Sequence, residues 1–174
     1  MSNVAGQDSA LHRNQRFERL VNQYQESVLR MCFLYLCDKS LAEDARQETF
    51  LKVYRTMDKF RGESSEKTWI MKIAMNTCYD LNHSAWYRFM NRKVTPEDLP
   101  EQAESADECD EELTVAVMKL PLKLREVILL YYYQGLNVNE VADALGISQS
   151  SVSGRLKRGR EKLKKMLEGR ELDE

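Results

Sequence analysis

Between Val94 and Met118 the chain carries nine acidic residues and no basic one, with Pro96 and Pro100 inside the stretch. Its first part is short of large apolar side chains, so it cannot bury enough surface to build a core. It reads as a linker over residues 94–111. This constrains the rest of the 174 residues, which must fold on either side as two small units. The acids themselves admit two readings. They are either a solvated tether, or a strip that occupies a basic channel on a partner or masks the chain's own basic parts.

The flanks have the opposite charge. From Arg13 to Lys93 there are fifteen bases against ten acids, and from Leu145 to Lys165 seven bases against one acid, although the whole chain is formally −2. Segregated charge of this kind suggests polyanionic partners. Only three prolines and seven glycines occur, among abundant Leu, Met, Glu, Lys and Arg, which favours an all-α fold. No apolar run of about 18 residues exists, so no membrane insertion is expected. The start "MSNVAGQDSA" lacks the order of a signal peptide, and a cytoplasmic location is expected. Cys32, Cys37, Cys78 and Cys109 form no paired motif, and His12 and His83 are scattered, so neither a metal site nor a cofactor is expected. No phosphate loop, triad spacing or pocketed acid pair is visible, which argues against an enzyme.

Before the linker the apolar periodicity predicts helices. Phe17, Leu20, Val21, Tyr24, Val28, Met31, Cys32 and Tyr35 mark the first. A second runs from Leu41 to Met57, with Ser40 as its expected N-cap, and "FRGESSEK" follows as a loop. A third starts near Trp69 and is expected to break near Ser84. After the linker, Glu112–Lys119 and Leu122–Tyr133 read as helices separated by Pro121, with Gly135 ending the second. The expected organisation is a disordered N-terminus over 1–11, a first domain over 12–93, the linker over 94–111, a second domain over 112–170 and a tail over 171–174.

"NVNEVADALGISQSSVSGRLKR" has helix-turn-helix spacing. Asn137 caps a short helix, Gly146 makes the turn, Ile147 plugs the core and Ser148 caps a second helix. Val152, Leu156, Gly159 and Leu163 share one face of that helix, at steps of 4, 3 and 4 residues. Ser150, Gly154, Lys157 and Arg158 point away. In a major groove the first residues of such a helix meet base edges and the later bases meet phosphates. Gln149, Ser150, Ser151 and Ser153 are therefore the base-facing candidates, with Arg155 and Arg158 reaching for guanines. Lys157, Arg160 and Lys162 are the phosphate candidates, and about five such contacts give a salt slope near −4.5. Outward Gly154 allows close approach to a groove, whereas inward Gly159 allows close packing.

On the third helix, Lys72, Asn76, Tyr79 and His83 line one stripe, flanked by Trp69 and Asp80. Amide, ring and cation on one face suit single-stranded bases, although an ordinary polar surface gives the same pattern. The second helix turns out Asp44, Gln47, Glu48, Leu51 and Arg55, a mixed surface around one leucine. On these grounds the residues suit a free-standing DNA-binding regulator or a helical RNA-binding adaptor.

"AEDARQETFLKVY" (42–54), "FRGESSEKTWIMKIAMNTCYD" (60–80) and "LPLKLREVILLYYYQGLNVNEVADALGISQSSVSGRLKRGREKLKKML" (120–167), in this order, resemble an extracytoplasmic-function sigma factor of the sigma-70 family. The resemblance implies two helical domains, region 2 and region 4, and a role in starting DNA-templated transcription, in a stress or envelope response. It implies that Asp44, Gln47, Glu48, Leu51 and Arg55 bind the β′ clamp helices of core RNA polymerase, with a second grip on the β flap. Trp69, Lys72, Asn76, Tyr79, Asp80 and, on the same stripe, His83 would melt and read the −10 element. The loop Arg61–Ser65, with Gly62 and Ser64, would pocket a flipped base. The C-terminal helix would read the −35 element, the acidic strip would thread the RNA exit region, and an anti-sigma factor is an expected partner. After Asp80 the family's arginine-rich run is replaced here by "LNHSAWYRFMNRK", and Ser153–Gly154 stand where a lysine and a small polar residue are usual.

Overall fold

A computed structural model describes residues 2–83 and 108–168, with side chains from Leu11 to His83 and from Glu111 to Glu168. Most of the acidic stretch, the region after Ser84 and the tail 171–174 lie outside the described residues. Every regular element among those described is helical: α1 Ser2–Leu36, α2 Lys39–Thr56, α3 Glu66–His83, α4 Glu108–Met118, α5 Leu122–Ile128, α6 Val138–Leu145 and α7 Gln149–Glu168. A short 3-10 turn, Met57–Lys59, follows α2, and a π turn, Leu129–Tyr133, follows α5.

Helices α1, α2 and α3 form an N-terminal lobe. Leu20, Val28, Met31 and Cys32 pack with Ala42, Ala45, Phe50 and Val53 of α2 and with Ile70, Met71, Ala74 and Cys78 of α3. Ala42, Thr49, Phe50, Val53 and Met57 are buried, as the periodicity of the second helix requires. The lobe is pinned by Glu66, whose carboxylate takes a two-pronged bond from Arg19 (2.8 and 3.0 Å) and a longer one from Arg16 (3.4 Å). The Arg19 bond, reinforced by Arg16, holds the Glu66 carboxyl below its ordinary value against a smaller opposing effect of burial.

Three boundaries differ from expectation. The backbone of residues 2–11 is helical and continues α1. The N-cap of α2 is Asp38, not Ser40: Asp38 has extended backbone and its side chain accepts from the Leu41 amide at 3.0 Å. Helix α4 begins at Glu108, four residues inside the expected linker.

The C-terminal lobe, α4 to α7, has a core of Val117, Leu120, Val127, Ile128, Leu130, Val141, Val152 and Leu156. Helix α6 carries the expected Asn137 cap as a full capping box. The Asn137 side chain accepts from the Asn139 and Glu140 amides, and Glu140 Oε2 accepts from the Asn137 amide at 2.9 Å. Gly146 ends α6 in the left-handed region, φ 64°, where a side chain is strained.

The two lobes pack on one another and share a continuous apolar core. Met31 to Leu36, MCFLYL, has no polar face, and all six residues are buried. A helix that is apolar all round needs cover on every side. Helices α2 and α3 cover one side of α1, and α4, α5 and the π turn pack on it from the C-terminal lobe. Helix α6 lies on α3.

Candidate nucleic-acid interfaces

The loop between Phe60 and Ser65 leads into α3. Gly62 sits at φ 73°, which the turn requires and glycine permits. Ser65 starts the helix: its hydroxyl oxygen accepts from the Thr68 amide at 3.0 Å. Ser65, expected to face a base, is thus committed to the helix start, and Ser64 bonds back to the Ser65 carbonyl at 3.4 Å.

Beside this loop opens a cleft of about 650 Å³. Of the expected −10 residues, Arg61, Ser64, Trp69 and Lys72 line it. Glu63 of the expected loop also lines it, as do Thr56, Lys59 and Phe60, which the pattern of the chain alone did not single out. Phe60 stacks on Trp69, with centroids 4.8 Å apart and planes 28° apart. An aromatic stack and three cations, Lys59, Arg61 and Lys72, thus line one cleft, the residue types that hold a base by its face and a strand by its phosphates. The spacing signal that could have found Phe60 is absent, because it lies nine residues before Trp69 and outside the helix.

Asn76, Tyr79, Asp80 and His83 continue along α3 beyond the cleft, all exposed. Tyr79 is 52% exposed, and His83 stacks on its ring at 3.8 Å, with Nδ1 2.9 Å from the Tyr79 carbonyl. Asp80 pairs with Lys52 at 3.6 Å. Tyr79 and His83 thus present a stacked pair of rings at the exposed end of α3.

On α2, Asp44, Gln47, Leu51 and Arg55 are exposed and Glu48 half-buried, on one face away from the core. Leu51 is 49% exposed at the centre of this charged rim.

On α7, Val152, Leu156, Gly159 and Leu163 are buried, as their steps predict. Gln149, Ser150, Ser151, Ser153, Lys157, Arg158, Arg160 and Lys162 are exposed. Ser148 caps the helix by accepting from the Ser151 amide at 3.2 Å, and its hydroxyl also meets those of Ser150 (3.0 Å) and Ser151 (2.8 Å). Arg158 Nε donates to the Gly154 carbonyl at 3.2 Å, and Arg160 donates to the Tyr132 hydroxyl at 3.1 Å. A Cβ built on Gly154 meets nothing within 4 Å, whereas one on Gly159 comes within 3.1 Å of Ile128 Cγ1.

Arg155 departs from the expected reading face. Its guanidinium pairs with Glu126 of α5 at 2.5 Å, with both side chains largely buried. Burial pushes the Glu126 carboxyl above its ordinary value, against the smaller lowering effect of Arg155. A buried arginine cannot leave a buried carboxylate without cost, so Arg155 fixes α7 on α5 and is not free to reach a guanine.

Among the described residues no helix is long and apolar enough to cross a membrane.

Two family models match the chain: sigma-70 region 2 over residues 20–88 and sigma-70 region 4 over residues 110–163. The chain is 30% identical over 166 residues to the RNA polymerase sigma-H factor of Pseudomonas aeruginosa, covering 87% of this chain and 86% of that one. It is 29% identical over 165 residues to the ECF RNA polymerase sigma factor SigW of Bacillus subtilis, covering 87% and 88%. The fold is shared with the sigma factor RpoE of Bartonella quintana, solved with the anti-sigma factor NepR, at a TM-score of 0.74 and 21% identity over 88% of this chain and 98% of that one. The chain belongs to the sigma-70 family, as a sigma factor of the extracytoplasmic-function group that binds core RNA polymerase and directs promoter-specific initiation of transcription.

Proposed function

We propose that the cleft and the stripe on α3 take the −10 element, and that the outer face of α7 takes the −35 element. The observation that carries this is the aromatic and cationic cleft of Phe60, Trp69, Lys59, Arg61 and Lys72, continued along α3 by Asn76 and Tyr79. A flipped base fits between a ring wall and cations, and extracting it costs a few kcal/mol that polymerase and DNA contacts offset. Gly62, Ser64, Ser65, Asp80 and His83 shape the loop and the far end of the stripe. On α7, Gln149, Ser150, Ser151, Ser153 and Gly154 approach base edges, and Lys157, Arg158, Arg160 and Lys162 approach phosphates. Arg155 is left out of the reading set.

The face Asp44, Gln47, Glu48, Leu51 and Arg55 is the grip on the β′ clamp helices, with the C-terminal lobe resting on the β flap. A cytoplasmic protein acting as a regulator and not as an enzyme fits this assignment, with an anti-sigma partner that can hold it at the membrane. The B. quintana relative solved with NepR supports such a partner. The test is transcription by core polymerase on fragmented genomic DNA in the presence of the protein. Promoter-specific transcripts are expected, lost with Tyr79→Ala and Lys72→Ala together and weakened with Lys157→Ala. Nanomolar binding to a duplex site by the protein alone, without transcripts, would mark a free-standing regulator.

A further inference from the structure

We propose that the hydroxyl of Tyr132, outside the helix-turn-helix, forms a phosphate site with Arg160, so that the π turn after α5 holds the backbone of the −35 duplex beside α7. This rests on the reading of α7 as the −35 face.

The turn brings the ring there. Leu129–Tyr133 is closed by the Gln134 amide, which donates to the Leu129 carbonyl at 3.0 Å. Such wide turns are rare and recur at functional sites. Leu129 and Leu130 are buried, and the Arg30 guanidinium lies over the Tyr133 ring, 5.6 Å from its centroid. Tyr132 is turned out and 50% exposed, and the half-buried Tyr131 ring meets it edge-on at 4.9 Å. The core gives no reason for an aromatic side chain at this exposed position. Its hydroxyl, however, is engaged. Arg160 Nη1 donates to Tyr132 Oη at 3.1 Å, from 28 positions along the chain. This bond is the largest of the influences that raise the Arg160 guanidinium above its ordinary value. A tyrosine oxygen that accepts keeps its own O–H to give, and the guanidinium has used one of five N–H groups. Both residues are exposed, so a neutral donor and a cation stand side by side at the surface. That is a donor set for one phosphate group.

The neighbours of Arg160 carry the same sign. Ser153, Lys157, Arg160 and Lys164 follow one another on α7 at steps of 4, 3 and 4, each one residue after the buried seam. All four are exposed, and Lys164 also pairs with Glu168 at 3.5 Å. No acid occurs between Gln149 and Arg160, and Glu161 turns a further 100° around the helix. A row of cations beside the base-facing residues suits the backbone of a duplex, and Tyr132 adds to it from outside the helix. The other flank of the seam is closed to such use, because Arg155 is bound there to Glu126. Helix α7 therefore has one edge locked to α5 and one edge free for phosphates, and Tyr132 belongs to the second.

The experiment uses core polymerase carrying the full chain, and a promoter fragment identified by the transcription test above. Tyr132→Phe removes the hydroxyl and keeps the ring. It should weaken promoter binding about fivefold and leave the unfolding midpoint unchanged. Arg160→Ala should weaken binding further and lower the salt slope by about 0.9. Tyr132→Phe added to Arg160→Ala should then cost less than Tyr132→Phe alone, because the two groups share one phosphate. Neutral methylphosphonates placed singly across the −35 duplex should reveal one position that weakens the unmodified protein and leaves Tyr132→Phe unaffected. Equal binding by Tyr132→Phe and the unmodified protein overturns the proposal, as does the absence of any such position. If Lys157→Ala weakens binding and Tyr132→Phe does not, the −35 reading of α7 stands and the Tyr132 site alone falls. If neither does, or no promoter is transcribed, the reading of α7 falls and takes the site with it. Normal promoter binding by Tyr132→Phe, with loss of polymerase by Tyr132→Ala, would mark the ring as a protein contact instead.

Discussion

Helices α3 and α7 are nearly equal in length, 18 and 20 residues, and each offers one face to a nucleic acid, yet they are held differently. Helix α3 buries seven residues, Thr68, Ile70, Met71, Ala74, Met75, Thr77 and Cys78, and is gripped by α1, α2 and α6. What remains outside is a narrow stripe. Helix α7 buries four residues on a single seam and leaves a broad basic surface. A wide seam fixes a helix through many apolar contacts, so its reading stripe can carry rings such as Tyr79. A narrow seam needs specific locks, among them the Arg155–Glu126 pair and the close approach of Gly159 to Ile128.

The sharpest way to break this contrast is at the lock. Gly159→Leu should cost about 3 kcal/mol or more, because even a Cβ there crowds Ile128 and overpacking a filled site is destabilising. Chemical denaturation reads it as a lower midpoint. Gly154→Leu, five residues earlier and open to solvent, should leave the midpoint nearly unchanged and weaken duplex binding instead. If both substitutions destabilise alike, α7 is oriented differently from the seam described here.

Tyr79→Ala tests the opposite helix. Seven buried residues should hold α3 without the ring, so stability should change little. Binding of the −10 strand in the polymerase complex should fall by about 1–3 kcal/mol, the worth of one stacked base. Asn137→Ala should cost about 1 kcal/mol by removing the capping box of α6. Hydrogen exchange would show it first at Asn139 and Glu140.

The smallest effect is in pH. Glu66 has a lowered carboxyl in the folded chain, so its stabilisation is present above the ordinary value of about 4.5 and is lost as pH falls through the lower folded value. Glu126 has a raised carboxyl, so its protonated form is favoured by folding, and its contribution declines as pH rises from about 4.5 through the higher folded value. Plots of unfolding free energy against pH should therefore change slope in opposite directions for Glu66→Gln and Glu126→Gln. Changes of the same sign would mean that one of these environments is misassigned.

The local devices of the C-terminal lobe were open to reading in the chain. The Asn137 cap, the turn at Gly146, the Ser148 cap and the 4-3-4 seam of α7 all depend on residues within a few positions of one another. The Asp38 cap was misplaced by two residues because Asp38 and Ser40 both have short oxygen-bearing side chains, and backbone dihedrals choose between them. The expectation that Arg155 reaches for a guanine misses its partner, Glu126, because that residue lies 29 positions away. Phe60 was missed as a wall of the cleft because its stacking on Trp69 depends on how the loop folds back.

Periodicity, caps and charge segregation are short-range properties, so the helices, the helix-turn-helix and the family were already written in the order of the residues. The docking of one lobe on the other was not. MCFLYL states that a helix end must be covered on all sides, but not what covers it. Thr68 with Glu140, Ser27 with Gln134 and Tyr35 with Arg125 are 72, 107 and 90 positions apart, and no local rule pairs them. Contacts across such distances arise from three-dimensional packing, where apolar cover and satisfied polar groups are settled together.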